Sequence, residues 1–309
     1  MQFTTPVDIP NTADFHYEDS FMLLGSCFTD NMAKRMHGAY MQVCENPFGE
    51  LYNPLSIAQC LKYLGDDILF MENDLIYHAG LYHSMLHHGR FSSSDLGLTL
   101  NNINSELQAA RSFIKNAKRL HFIVTFGSAY IYEKNKMIVG NCHKLPEKEF
   151  CQRLLKVDEI VEVWQQIIST WQNADFLFTV SPVRYKKYGM HGSQISKSTL
   201  LLALSQLKTP YFPAYEIMMD ELRDYRFYAE DMIHPSNQAV DYIWQRFKQA
   251  CFADKEQQKI DEAEDVWRFV NHRTLHAETP QSLQLEQQKM QKINSLKNKY
   301  PWIEKLQLC

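Results

Sequence analysis

Three runs in this chain are apolar at nearly every position instead of at every second one: residues 21–24, Leu120–Phe126 and residues 176–180. A strand with apolar side chains pointing both ways must be covered on both faces. An open parallel sheet flanked by helices meets that requirement. Each run ends in a breaker, Gly25, Gly127 or the pair Ser181-Pro182. Helix-compatible stretches alternate with them. Phe28, Met32 and Met36 recur four apart around residues 29–36, and residues 103–117, 157–171, 196–207, 216–225 and 236–250 follow. A short strand broken by Pro213 is expected within residues 211–215. This alternation predicts an α/β fold with a parallel sheet between helices. Gly25-Ser26-Cys27 then falls on the turn from the first strand into the first helix, where open α/β sheets bind ligands.

Past residue 252 Gln, Lys and Glu dominate and apolar residues thin out. The expected division is a main domain over residues 1–252 and a helical C-terminal extension over residues 253–309. Its two helices, at residues 257–270 and Pro280–Lys299, would pack on the main domain or form a separate partner-binding hairpin. The 32 Lys+Arg and 36 Asp+Glu leave a net charge of −4. No basic stripe is available to neutralise phosphates, so nucleic acid is not an expected partner. No apolar run approaches the ~20 residues of a membrane span. Seven cysteines without a C-x-x-C pair indicate neither a disulfide framework nor a zinc ribbon. Residues 1–6 carry neither the basic nor the apolar part of a signal peptide. The expectation is a reduced, cytoplasmic protein with no membrane partner and no cofactor.

Two segments far apart in the chain carry chemistry. A serine hydroxyl becomes a nucleophile only with a base in hydrogen-bond reach, and that base needs a carboxylate to orient it. Ser26, on a strand-to-helix turn, would present Oγ while the first helical N–H groups face a developing oxyanion. In Asp231-Met232-Ile233-His234-Pro235 the i, i+3 spacing lets the Asp231 carboxylate hold Nδ1–H of His234 and leave Nε2 for the serine. Each segment has a plainer reading, as turn chemistry or as a cap beside a surface histidine; their combination favours the catalytic one. Cys27 is expected to turn away into the sheet–helix core.

These residues resemble the GSCFA-domain family, a branch of the SGNH/GDSL hydrolase superfamily. Gly25-Ser26-Cys27-Phe28 matches its signature, with Thr29 in place of Ala. Asn46-Pro47-Phe48-Gly49, Tyr52-Asn53-Pro54, Gly140-Asn141-Cys142-His143-Lys144, Ser181-Pro182-Val183-Arg184, Ser196-Lys197 and the Asp231–Pro235 segment look like the same family. The resemblance spans roughly residues 20–250. It implies a three-layer α/β/α flavodoxin-like sandwich with Ser26 as nucleophile, His234 as base and Asp231 as the orienting acid. It also implies an oxyanion hole built from the Ser26 N–H, a glycine N–H at Gly49 and an asparagine side chain. That asparagine is displaced here, because Gly127-Ser128-Ala129-Tyr130 stands where a G-x-N-D block is usual. Asn141, or less directly Asn53, would replace it. No G-x-S-x-G occurs, which sets aside the ordinary α/β-hydrolase elbow.

Further candidates surround this set. His83 and His87 are i and i+4 and would share a face on a helix, either as structural or substrate-contacting histidines or as a metal pair. With His88 and His143 they are assigned to the mouth of the site, as is Asn53. Arg184 follows a strand C-terminus and would bind a substrate anion, or else form an internal ion pair; Lys197 and His191 are candidates of the same kind. The function expected is ester hydrolysis on a small-molecule or carbohydrate-like substrate. Acyl transfer with the same triad, a catalytically degenerate binding protein and a metal-dependent enzyme are the alternatives.

Overall fold

The computed structural model describes residues 4–10, 12–272 and 279–305; residues 1–3, part of the segment read above for a leader, lie outside them. The strands are β1 (Ser20–Gly25), β2 (Gln42–Glu45), β3 (Leu75–His78), β4 (Leu81–Ser84), β5 (Leu120–Phe126), β6 (Tyr130–Lys134), β7 (Met137–Val139), β8 (Cys151–Leu154), β9 (Ala174–Val180) and β10 (Tyr211–Phe212). The helices are α1 (Cys27–Gly38), α2 (Pro54–Gly65), α3 (Leu96–Asn116), α4 (Val157–Thr170), α5 (Gly189–Leu207), the single turn α6 (Ala214–Glu216), α7 (Asn237–Cys251), α8 (Asp254–Val270) and α9 (Pro280–Lys299). No helix among the described residues is long and apolar enough to cross a membrane.

Five strands form one parallel sheet in the order β2-β1-β5-β9-β10. The apolar runs occupy its centre because successive residues feed opposite layers. Met22 and Leu24 of β1, Phe122, Val124 and Phe126 of β5, and Phe176, Phe178 and Val180 of β9 pack against α2, α3, α4 and α5. Phe21, Leu23, Ile123 and Leu177 pack on the other face, against α1 and α7. α8 and α9 belong to that second layer, where Ile260, Ala263 and Leu296 are buried with Tyr300 and Ile303. The α/β class and the parallel sheet between two helical layers are thus as the sequence predicts.

What the sequence did not signal is equally physical. β2 is a half-buried four-residue edge strand, Gln-Val-Cys-Glu, without periodicity to mark it. The hairpin β3–β4 and the antiparallel sheet β7-β6-β8 are short insertions beside the main sheet. Residues 216–225, expected to be helical, continue α6 only as a π-type turn over Ile217–Glu221. His83 lies on strand β4 and not on a helix, so the shared helical face proposed for His83 and His87 does not exist.

The chain leaves β1 in one direction for β2 and in the other for β5, so strand order reverses between β1 and β5. Open α/β sheets form their ligand crevice at such a point. The two strands meet closely there. Gly25 has φ of 141°, and a Cβ on it would lie 2.2 Å from Thr125 O. Gly25→Ala should therefore cost on the order of 3 kcal/mol or prevent folding. Gly89→Ala, at a site with nothing within 4 Å of the new Cβ, should be nearly neutral. Urea denaturation followed by circular dichroism would check both.

Candidate active site

Ser26 is the N-cap residue of α1, with extended backbone, but its side chain makes no capping bond. An N-cap serine ordinarily gives its oxygen to an N–H of the first turn. Here Thr29 N–H donates instead to the Ser26 carbonyl, at 2.7 Å. Ser26 Oγ is left buried with no hydrogen-bond partner. The backbone N–H groups of Ser26 and Cys27 make no backbone hydrogen bond among the described residues, as expected for the open first turn of a helix.

The Asp231–His234 segment folds as the i, i+3 spacing requires. Met232, at φ of 58°, bends the chain. Asp231 Oδ1 accepts the N–H groups of Ile233 at 2.9 Å and His234 at 3.0 Å. Its Oδ2 lies 2.5 Å from Nδ1 of His234. The His234 backbone N–H, its ring and the Ile233 N–H hold the Asp231 carboxyl well below the usual carboxylate range. Nε2 of His234 makes no hydrogen bond among the described residues.

Ser26 and His234 line one cavity of about 260 Å³, together with Gly127, Ser128, Ser181 and five tyrosines, 52, 130, 132, 185 and 188. No Lys, Arg, Asp or Glu side chain lines it. Within the tyrosine wall, the hydroxyls of Tyr132 and Tyr188 are 2.5 Å apart and Lys187 Nζ donates to that of Tyr132 at 2.6 Å. Ser26 and His234 line the same cavity without bonding to each other, since Ser26 Oγ has no hydrogen-bond partner among the described residues. Catalytic hydrogen bonds are often open in unliganded enzymes and close around substrate. Cys27 also lines the cavity, contrary to the expectation that it turns into the core. Burial first, then Asp30 and Glu50, push its thiol up to about 11, which suppresses the thiolate.

Gly49, Asn141 and Asn53, expected to complete the oxyanion hole with the Ser26 N–H, lie outside the cavity. Gly49 N–H donates to Asn46 O at 2.7 Å. Gly49 is glycine because, at φ of 77°, its Cβ would sit 2.1 Å from that of His88. Asn141 Oδ1 accepts the His143 N–H at 2.9 Å and its own N–H goes to Met85 O at 3.0 Å. Asn53 caps α2, accepting Ser56 N–H at 2.8 Å and donating to Ser56 Oγ at 2.9 Å. None of the three lines the cavity. Ala129, where the usual asparagine would stand, is fully buried in the core under the sheet.

Nor do the histidines reach the cavity. His83 contacts Ser92 Oγ at 2.7 Å and stacks on His143 at 4.3 Å. His143 Nε2 meets Ser84 O at 2.7 Å. His87 contacts Ser84 Oγ at 2.8 Å and stacks on Phe48 at 4.5 Å. His88 lies 3.6 Å from Glu50. His83, His87 and His143 are buried in the insertion around β4 while His88 is half-exposed, and no group of three or more His, Cys, Asp or Glu among the described residues is arranged to hold a metal ion. Arg184 is likewise structural. Its guanidinium donates to Met232 O and lies over the rings of Tyr228, at 4.0 Å, and Tyr225, at 5.2 Å. With its N–H on Ile233 O, it clamps the loop carrying His234. His191 is exposed at the start of α5.

Two residues gain a place that the sequence did not give them. Ser181, at the end of β9, is buried and lines the cavity with a free Oγ. Lys197 is 2% exposed, and Nζ donates to Gly127 O and Ser181 O, each at 2.8 Å. Burial lowers its amine to about 7. The available signal was position: both carbonyls follow the C-terminal ends of central strands.

The GSCFA family model matches residues 20–247. No curated protein and no solved structure matches the chain.

Burial lowers His87 to about 3 and His143 to about 4, against 6.5 for a free imidazole. Both stay neutral in the fold where the unfolded chain would already be protonated. Stability is therefore fully present above about pH 6.5 and falls as the pH drops towards 4. Between pH 7 and 5 His87 alone should contribute a loss of about 2 kcal/mol. In urea titrations at the two pH values, His87→Phe should show a shallower loss than the wild type.

Proposed function

Since the chain belongs to the GSCFA family, within whose matched span the Ser26 turn and the Asp231–His234 pair both fall, we propose that it is a serine hydrolase of the SGNH type. It would cleave an ester through Ser26, His234 and Asp231. The observation that carries this reading is that Ser26, whose hydroxyl is buried and unpartnered among the described residues, lines one cavity with an imidazole whose Nδ1 side a carboxylate holds. In the proposed cycle Ser26 Oγ attacks the acyl carbon as His234 Nε2 takes its proton. Asp231 stabilises the resulting imidazolium, and the open N–H groups of Ser26 and Cys27 face the oxyanion. Collapse expels the alcohol, which takes the proton from His234. Water, activated by the same base, then releases the acid.

The uncharged, tyrosine-rich lining suits a neutral ester, such as an acylated small molecule or carbohydrate. With an acceptor hydroxyl replacing water the same machinery would transfer the acyl group. A second reading, a hydrolase fold retained for binding, is favoured by the position of Gly49, Asn141 and Asn53 outside the cavity.

Turnover of p-nitrophenyl acetate separates these readings. Ser26→Ala and His234→Ala should each lower kcat/KM at least about 10³-fold, and the double variant should be little worse than either. Asp231→Asn should lose less, because the imidazole remains but is misoriented. Cys27→Ala should stay within about threefold of the wild type, having lost only packing. A fluorophosphonate probe should label the wild type at Ser26. Folded protein that is neither labelled nor active would support the binding reading.

A further inference from the structure

We infer that the Ser181 hydroxyl is the side-chain donor of the oxyanion hole and that Lys197 is the positioning residue that holds it there. This rests on the hydrolase reading above and supplies the part that Gly49, Asn141 and Asn53 leave open.

Five side-chain hydroxyls among the described residues are buried without a partner: those of Ser26, Thr29, Thr179, Ser181 and Thr209. A buried hydroxyl without a bond destabilises the fold, so each calls for a reason. Thr29 and Thr179 line a gap of about 10 Å³ among Leu23, Ile123 and Leu177, away from the site. Only Ser26 and Ser181 line the cavity. The remaining serine on its wall, Ser128, is occupied: its Oγ accepts the Tyr130 N–H at 3.1 Å and lies 3.4 Å from Ser196 Oγ. If Ser26 is the nucleophile, Ser181 is the one other serine or threonine among the described residues that lines the cavity and has a buried hydroxyl without a partner.

Its backbone is fixed on both sides. The Ser181 N–H donates to Phe126 O at 2.9 Å, and its carbonyl accepts from Lys197 Nζ at 2.8 Å. The same Nζ holds Gly127 O at 2.8 Å, and Gly127 lies against the nucleophile, since a Cβ on it would be 3.3 Å from that of Ser26. One buried side chain therefore ties the loop after β5, which lies against Ser26, to the loop after β9. Lys197 forms no ion pair among the described residues; besides the two carbonyls, its amine lies 5.4 Å from the centre of the Tyr215 ring.

The test is steady-state hydrolysis of p-nitrophenyl acetate by the full chain, with thermal unfolding measured on the same samples. Ser181→Ala should lower kcat about 100-fold or more, with KM within about threefold and an unchanged or higher Tm, because a buried unpartnered hydroxyl is removed. A packing role would lower Tm and spare kcat; that result, or a kcat within about threefold of the wild type, overturns the proposal. Lys197→Met should lower kcat in the wild type and much less in the Ser181→Ala background, since it acts through Ser181. Equal effects in both backgrounds overturn the role of Lys197. A wild type that neither turns over nor takes a fluorophosphonate label at Ser26 overturns the hydrolase reading and this one together. Failure of Ser181→Ala to lose activity in an active wild type overturns this one alone.

Discussion

The site depends on one asparagine gripping the end of the first strand. Asn46 Oδ1 accepts the Gly25 N–H at 2.9 Å, its own N–H donates to Leu23 O at 2.9 Å, and its Nδ2 donates to Asp30 Oδ1 on α1 at 2.6 Å. It does this from a left-handed backbone, φ 41°, which asparagine tolerates better than most residues. Its carbonyl then collects the Gly49 N–H and Arg90. Strand, helix and following turn are thereby locked to one residue, and the residue between the strand and the helix is Ser26. The same grip occupies the Gly49 N–H, which is part of the lock.

A cost in stability is visible at that turn. Asn53, Asp95 and Ser236 each turn their side chain back onto a first-turn N–H of the helix they open. Ser26 alone among these four forgoes the bond and leaves its hydroxyl buried and unpaired. A missing cap costs about 1 kcal/mol and an unsatisfied buried hydroxyl about 1–3 kcal/mol. Asp231 is organised the opposite way, with both oxygens engaged, in a loop that Arg184 clamps. Asp231 and His234 are tied to each other and to the loop, whereas the Ser26 hydroxyl is left without a partner among the described residues.

How far the sequence could be read follows from what each residue does. The central strands were legible because two-sided burial forces apolar residues at consecutive positions, and β1, β5 and β9 are such strands. Asp231 and His234 were legible because a local spacing sets their geometry. Gly49, Asn141, Asn53, His83, His87, His88, His143 and Arg184 were misplaced for one shared reason. Polar residues that secure irregular loops have the same composition as polar residues that bind substrate, and only three-dimensional placement separates them. Ser181 and Lys197 show the converse: a serine and a lysine are the commonest of surface residues in sequence, and burial alone makes these two notable.

The C-terminal helices bear on the site through the helix that starts at it. α1 begins beside Ser26 and ends at Gly38, where a Cβ would lie 3.6 Å from the Trp267 ring of α8. Trp267 also meets Tyr40 edge-on at 5.5 Å. Buried Lys248 of α7 bonds Asp261 and Glu264 of α8, at 2.6 Å and 3.1 Å, and Tyr17, just before β1, packs edge-on against Tyr300 at 5.1 Å. The family match ends at residue 247, within α7, yet the layer covering α1 continues beyond it through α8 and α9. An α-helix is stiff along its axis, so a brace at its C-terminal end limits how its N-terminal end can tilt. These helices thus hold the Ser26 turn at a distance, through packing and without contributing a residue to the cavity.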